Sequence, residues 1–415
     1  MSLFSYLKNS MTRRKFLGGI IGGIAALVTG KTLLSKEIDT EVKKIKPEVN
    51  KKLSPPVFKI DKVADVWFIP TETQDPVELA RLTEKIYKKA GFDSIIKEDK
   101  LVALKQHFGA QNNKGFIKPE IIKTVGELIK KQKGRPLAVE TNTLYKGARS
   151  DSYNHLEIAL EHGFSHEKLG FPIAILDGVN GQNQKTVPIP GVHFNSVNMV
   201  SDLPFFESMM ILSHVKGHPA AGMGGAIKNL AMGFASRAGK LAQHSDFLPK
   251  FNDKCVRCGL CVNSCPVNAL SMGNKKVVVD KTKCIGCGQC LTACRFDAID
   301  FKFGQGKRSF SEKMAEHAFG AVIFHNRKVG YINYFNFVSK FCDCFNIENP
   351  ALHKNIGLFA SYDPVAIDQA CYDMGVKTYG KDVFKEFFPK RNAQEQIKHA
   401  SKIGMGTRKY RLIKI

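Results

Sequence analysis

What this 415-residue chain lacks narrows its class before any motif is read. Its apolar run from Phe16 to Gly30 falls short of the roughly 20 residues that span a bilayer, and Lys31 ends it, which argues against a stable transmembrane helix. No A-x-A cleavage site follows that run. Acidic residues are scarce, 38 against 62 Lys and Arg, for a formal net charge of +24. The excess lies on lysines of predicted helices, such as Lys123, Lys130, Lys131 and Lys133, without the aromatic interleaving or recognition motif of a nucleic-acid binder. DNA and RNA are therefore not expected partners. A basic surface of this kind suits adhesion to an anionic membrane face or docking of an acidic redox partner protein. With 43% hydrophobic residues the chain is long enough for one large or two medium cores.

Cysteine is what the chain has. Eight of its 11 cysteines form two copies of one run, Cys255-x2-Cys258-x2-Cys261-x3-Cys265 and Cys284-x2-Cys287-x2-Cys290-x3-Cys294, aligned without a gap 29 residues apart. This is an internal duplication with the spacing of a bacterial ferredoxin carrying two [4Fe-4S] clusters. Three thiolates two residues apart grip one cubane, and the fourth comes from the other half. Cys255, Cys258, Cys261 and Cys294 then hold one cluster, and Cys284, Cys287, Cys290 and Cys265 the other. Zinc ribbons use paired C-x2-C knuckles instead. Pro266 follows Cys265 as the run requires, whereas Arg295 stands in the second copy where proline is expected, a departure that leaves ligation intact.

Thr12-Arg13-Arg14-Lys15-Phe16-Leu17 before the glycine-rich run from Gly18 to Gly30 has the layout of a twin-arginine export signal. The expected partner is the twin-arginine export machinery, and the expected destination the periplasm or the outer face of the cytoplasmic membrane, with the signal cleaved or kept as an anchor. Export of a folded, cluster-loaded domain also spares its thiols from oxidation in an oxidising compartment. Residues 36–57 are charged and proline-punctuated and read as a linker.

From residue 58 to 245, strand-length apolar runs (Val66 to Ile69, Leu101 to Leu104, Leu137 to Val139, Ile173 to Leu176, Met209 to Leu212) alternate with helical stretches (Pro76 to Ala90, Pro119 to Lys131, Ser152 to His162 after an Asp151 cap). This predicts an α/β fold, a largely parallel sheet with helices on both faces. The small α+β ferredoxin-like domain, residues 246–305, interrupts it. Patterning resumes through 306–415, so the flanking parts form one discontinuous domain.

Several strand runs end in polar residues: Lys105 and His107, Glu140 and Asn142, Asp177, then His214, Lys216 and His218. Open parallel sheets bind ligands at those carboxyl ends. Ser213-His214-Val215-Lys216-Gly217-His218 puts three ionisable groups on one face if extended, suited to a metal or an anion. It runs into Gly222-Met223-Gly224-Gly225-Ala226-Ile227-Lys228-Asn229, a glycine-rich loop opening a helix, whose N–H groups and dipole favour an anion, with Lys228 adding charge. This loop matches neither the P-loop nor the dinucleotide fingerprint. Cys342-Asp343-Cys344 is a further thiol pair that either ligates an additional metal, is reactive, or is simply buried. Asp363-Pro364 reads as a helix cap, with Asp368 and Asp373 further along that helix as candidates to face the cleft.

Together, Lys105-Gln106-His107-Phe108-Gly109, Thr141-Asn142-Thr143-Leu144-Tyr145, His214 to His218, Gly224 to Asn229, Cys342-Asp343-Cys344, Asp363 to Asp368 and the ending His399 to Gly406 resemble the family called domain of unknown function 362. Members often carry a bacterial-type ferredoxin insert and are described as iron-sulfur proteins. The resemblance implies no substrate and no catalytic residue.

The reading that follows is an exported iron-sulfur protein whose clusters pass electrons to or from an α/β-domain site that binds a small anionic substrate. His107, His214, Lys216 and His218 are its candidate catalytic groups. Lys228, Asn229, Gly224, Gly225, Asn142 and His193 are its candidate binding groups. The alternative is a non-enzymatic electron-transfer or metal-binding module that docks a partner enzyme.

Overall fold

The computed structural model describes residues 60–145, 147–244, 248–265, 267–284, 288–300, 309–325 and 328–415. The arginine pair, the linker, Pro266 and Cys287 lie outside the described residues. The strand Ser208–His214 is buried along its whole length. Its side chains divide by the two-residue repeat of a strand, Met209 and Ile211 into one apolar core and Met210 and Leu212 into the other. A continuous apolar run marks a strand covered on both faces.

That strand, β5, lies near the middle of an eight-stranded sheet. The others are β1 (Ala64–Pro70), β2 (Leu101–Lys105), β3 (Arg135–Glu140), β4 (Ile173–Ile175), β6 (Val329–Phe335), β7 (Gly357–Ser361) and β8 (Tyr410–Lys414), in the order β8-β1-β7-β6-β5-β2-β3-β4. Only β7 runs against its neighbours; the other pairings are parallel. The fold is α/β with a largely parallel sheet, and strands from both sides of the cysteine-rich segment share it.

The principal helices are α1 (Pro76–Ala90), α2 (Pro119–Lys131), α3 (Ser152–Glu161), α4 (Ala226–Gly233), α5 (Arg237–His244), α6 (Phe310–Val322), α7 (Pro364–Tyr379) and α8 (Gln394–Lys402). Asp75 starts α1 by accepting from the N–H groups of Val77 and Glu78, and left-handed Gly91 ends it. Asp151 caps α3 in the same way, through the N–H of Asn154. Side chains of α1 and α2 fill one core; α4, α6, α7 and α8 cover the opposite face.

The duplicated segment repeats in three dimensions. Short helices Leu260–Asn263 and Gln289–Ala293 each follow a left-handed glycine, Gly259 at φ 77° and Gly288 at φ 73°. Asn268 and Asp297 are left-handed at φ 50° and 51°. The strand pairs are Leu270–Met272 with Val277–Val279 between the runs and Lys250–Phe251 with Ile299–Asp300 at the two ends of the segment. The Ala269 N–H donates to Cys265 Sγ at 3.2 Å, and the Ala298 N–H to Cys294 Sγ at 3.4 Å. The helix starts, the left-handed residues and the N–H groups on sulfur are each separated by the 29 residues of the sequence repeat.

Candidate functional site

The carboxyl ends of β2, β3, β5 and β6 converge, because parallel neighbours deliver their following loops to the same edge. The loop after β6 carries Asp343, which is fully buried. Its carboxylate takes His214 Nδ1 at 2.9 Å on one oxygen and Lys216 Nζ at 2.9 Å on the other. His214 Nε2 meets the carbonyls of Asn336 and Phe337 at 2.9 and 3.1 Å, so both ring nitrogens face oxygen. Burial by itself would push the Asp343 carboxyl up; His214 and Lys216 outweigh it and hold Asp343 well below the usual carboxylate range.

Cys342, beside it, is also buried, with Lys228 Nζ 3.2 Å from its sulfur. A hydrogen bond from the Cys344 thiol, and then the Lys228 and Lys216 charges, hold the Cys342 pKa well below the ordinary thiol range against the effect of burial. The shared proton and burial push Cys344 the other way. The proton the two thiols share therefore lies towards Cys344 and the negative charge towards Cys342, the unequal titration expected of a coupled pair beside one cation.

Above this core opens a cavity of about 840 Å³. Among the described residues, Arg149, Lys228, Lys240, Lys313, Lys390 and Arg391 line it against two carboxylates, Glu140 and Glu395. Arg149 is held over the site by Nη2 on the Cys344 carbonyl at 3.0 Å and Nη1 on His107 Nε2 at 2.9 Å. Glu140 is already engaged by Lys105 Nζ at 3.2 Å and the Thr141 N–H at 2.7 Å. Cations therefore dominate the open surface, and an anion is the complementary ligand. A smaller cavity beneath it is lined by His214, Lys216, Gly224, Gly225, Asn229, Cys342 and Asp343, and shares His107, Glu140 and Lys228 with the large one.

The structure thus brings together His107, Asn142, His218 and Lys228 on the large cavity, and His214, Lys216 and Asn229 beneath it. Four expectations change. The N-terminus of α4 does not offer its N–H groups to a ligand: Ala226 and Ile227 donate to Asp368 at 2.8 and 2.9 Å, and a side chain at Gly225 would come within 2.5 Å of that carboxylate. Asp368 is an internal anion of the fold. His214 and Lys216 are spent on Asp343 and line only the lower cavity. His193 lies elsewhere, with Nε2 2.6 Å from Glu312. Asp373 pairs with Gln369 and Tyr410 at 2.8 and 3.0 Å and lines neither cavity.

The histidines on the large cavity also differ in role from proton donors of positive charge. His107 faces two N–H donors, Gly109 at Nδ1 and Arg149 at Nε2, both at 2.9 Å. Burial and the Arg149 charge hold it well below the usual histidine range. His218 Nδ1 accepts from the Ala220 and Ala221 N–H groups, and burial and Lys228 hold that ring neutral as well. Its Nε2 is then the protonated nitrogen. Sequence reasoning missed Arg149, Lys240, Lys313 and the part of Asp343; the last stood between two flagged cysteines, whereas the cations carry no motif.

In the cysteine-rich segment, Cys255, Cys261, Cys265, Cys290 and Cys294 pack in one apolar cluster with Leu144, Leu241, Phe251 and Ile299. Burial raises the Cys261 thiol, and the nearby charges of Cys294 and Cys258 raise it further, so a cysteine of the second run joins two of the first. Thiolates in an apolar shell with N–H groups on sulfur suit an iron-sulfur cluster. The second run rests on the α/β body: Gly288 sits against Leu241 of α5, and Gln184 Nε2 donates to Gln289 Oε1 at 3.0 Å.

The family model described as domain of unknown function (DUF362) matches residues 102–373. A ferredoxin of Clostridium pasteurianum is 52% identical over 31 residues, 8% of this chain and 55% of that protein. A ferredoxin of Acetoanaerobium sticklandii is 52% identical over 29 residues, 7% of this chain and 52% of that protein. The chain spans about half the length of these curated relatives. A solved protein from Thermotoga maritima aligns over 80% of this chain and 60% of its own at 8% identity, TM-score 0.37. The lactate racemase apoprotein from Thermoanaerobacterium thermosaccharolyticum aligns over 74% and 55% at 11% identity, TM-score 0.38.

Proposed function

This chain belongs to the DUF362 family and is an iron-sulfur protein, and from that premise we propose that it exchanges electrons between two [4Fe-4S] clusters and a small anion bound in the large cavity. Cys255, Cys258, Cys261 and Cys294 would hold one cluster, and Cys284, Cys287, Cys290 and Cys265 the other. Such clusters supply or accept electrons singly.

One observation carries the reading: a single helix separates the second cysteine run from the cavity. Leu241 of α5 supports Gly288, and on the same helix Lys240 and His244 line the cavity. A carrier that only shuttled electrons to other proteins has no need of this shared wall. The chain's own residues do the rest. Arg149, Lys228, Lys240 and Lys313 attract and orient the anion, neutral His218 donates to it through Nε2, His107 holds Arg149 in place, and the Cys342 and Cys344 pair holds a proton beside it.

The test reduces anaerobic, cluster-loaded protein and follows cluster absorbance as phosphate and carboxylate anions are added one at a time. The reading expects at least one anion to speed reoxidation, and Arg149→Met to remove the effect with iron content unchanged. No response to any anion, with binding undetected, would sink it. The proposal includes export by the twin-arginine route and a redox partner protein outside the cytoplasm, supported by Arg13-Arg14 and the basic surface. Arg13→Lys with Arg14→Lys should leave the protein in the cytoplasmic fraction.

A further inference from the structure

We propose that His193, Glu312 and His399 form a mononuclear site for a divalent transition-metal ion, separate from the cysteine runs and behind one wall of the large cavity. One ligand atom from each lies within 4.8 Å of the other two. Glu312 Oε2 is 2.6 Å from His193 Nε2, its Oε1 is 3.5 Å from His399 Nδ1, and the two rings stack at 5.4 Å. A cation at the centre of this group takes the place of the protons that otherwise hold a carboxylate against two imidazoles.

The surroundings orient the donors. His399 Nε2 bonds Glu316 Oε1 at 2.9 Å, which fixes the tautomer that leaves Nδ1 for the ion. Glu316 is buried, and the N–H groups of Val192 and Phe194 hold its carboxylate at 2.8 Å, with that of His193 at 2.9 Å. The chain comes this close only because residue 191 is glycine; a side chain there would strike the Glu316 carboxylate. This carboxylate–histidine arrangement outside the ligands is what metal-binding imidazoles require.

The donor set selects the ion. Two imidazoles and one carboxylate suit Zn²⁺, Fe²⁺ or Mn²⁺, whereas Ca²⁺ and Mg²⁺ prefer oxygen alone and no thiolate is present to favour Cu⁺. Side-chain exposure of 33% at Glu312 and 15% at His193 leaves room for entry and for water ligands. The ion would tie the loop at 191–194 to α6 and α8. Ser311 and Lys313 on either side of Glu312, and Glu395 of α8, line the large cavity, so the ion would steady that wall.

Mn²⁺ titrated into anaerobic, cluster-loaded protein should bind with one ion per chain, read as loss of the free-ion EPR signal and displaced by Zn²⁺. His193→Ala and Glu312→Gln should abolish this binding at unchanged iron content and circular dichroism. Cys342→Ser with Cys344→Ser should retain it. Glu316→Gln should weaken it about 10–100-fold, the usual effect of a partner outside the ligands. Absence of stoichiometric Mn²⁺ and Zn²⁺ binding to the unaltered protein would overturn the proposal, as would binding that survives both His193→Ala and Glu312→Gln. Neither outcome depends on electron transfer to the cavity.

Discussion

The ammonium of Lys228 lies 3.2 Å from the sulfur of Cys342, and that pair is the hinge between the lower polar core and the large cavity. Removing the cation should return Cys342 towards an ordinary buried thiol. Lys228→Met is expected to slow alkylation of Cys342 near neutral pH roughly tenfold for each unit by which its pKa comes to exceed the assay pH. Site-resolved mass spectrometry of labelled protein reads this, and an unchanged rate would show that Lys228 does not hold the thiolate.

Gly288 and Gly259 occupy equivalent positions of the repeat but not equivalent surroundings. A side chain at Gly288 would strike Leu241, while one at Gly259 meets nothing within 4 Å. Gly288→Ala should lower iron from about eight to about four atoms per chain or fewer, because the displaced run supplies three ligands of one cluster and, through Cys294, the fourth of the other. Gly259→Ala should cost only the left-handed conformation, about 1–2 kcal/mol, with iron retained. Equal iron loss in both variants would remove the claim that the second run is braced by the body.

Asp368 substitutes for a ligand at the start of α4. Asp368→Ala leaves two helix N–H groups and the Asn333 amide without their buried acceptor, and should destabilise the fold by about 2–4 kcal/mol. Urea unfolding at constant iron content measures it. A change under about 0.5 kcal/mol, the range of ordinary surface substitutions, would contradict the internal-anion role.

Acid should weaken the fold through its histidines. Burial depresses His107, His155, His218, His244, His317 and His325, His244 to about 3 and His317 and His325 to about 4. The unfolded chain protonates these rings below about pH 6.5 while the folded chain does not, so the stability they lend is present above that pH and is lost as pH falls. Asp363 and Asp368, raised by burial to about 6, act oppositely between that value and the ordinary carboxylate range. Asp177 is raised by burial too, but six imidazoles outweigh three carboxyls, and Tm should fall from about pH 7 to about pH 5. A rising Tm by calorimetry would reverse this balance.

Local rules made much of this protein legible. Asp151 before Ser152 announces a helix start because a cap acts within three residues. The apolar run around Met209 announces a strand covered on both faces. The cysteine spacing announces its own chemistry, since cluster ligation is set by chain geometry over a dozen residues, and its repeat is reproduced down to the N–H groups on Cys265 and Cys294. His107, Asn142 and His218 are legible because parallel strands deliver their loops to one edge, and Lys228 because it follows a glycine-rich loop that opens a helix.

Tertiary structure alone decided the partners. That Asp343 would absorb His214 and Lys216, that Asp368 would fill the α4 terminus from 142 residues away, and that His193 would meet Glu312 and His399 instead of the cavity depends on contacts far apart in the chain. A side chain's charge is written in the sequence. Which opposite charge shares its low-dielectric surroundings is fixed only when the sheet order places their segments together, and that proximity separates a binding group from an internal ion pair.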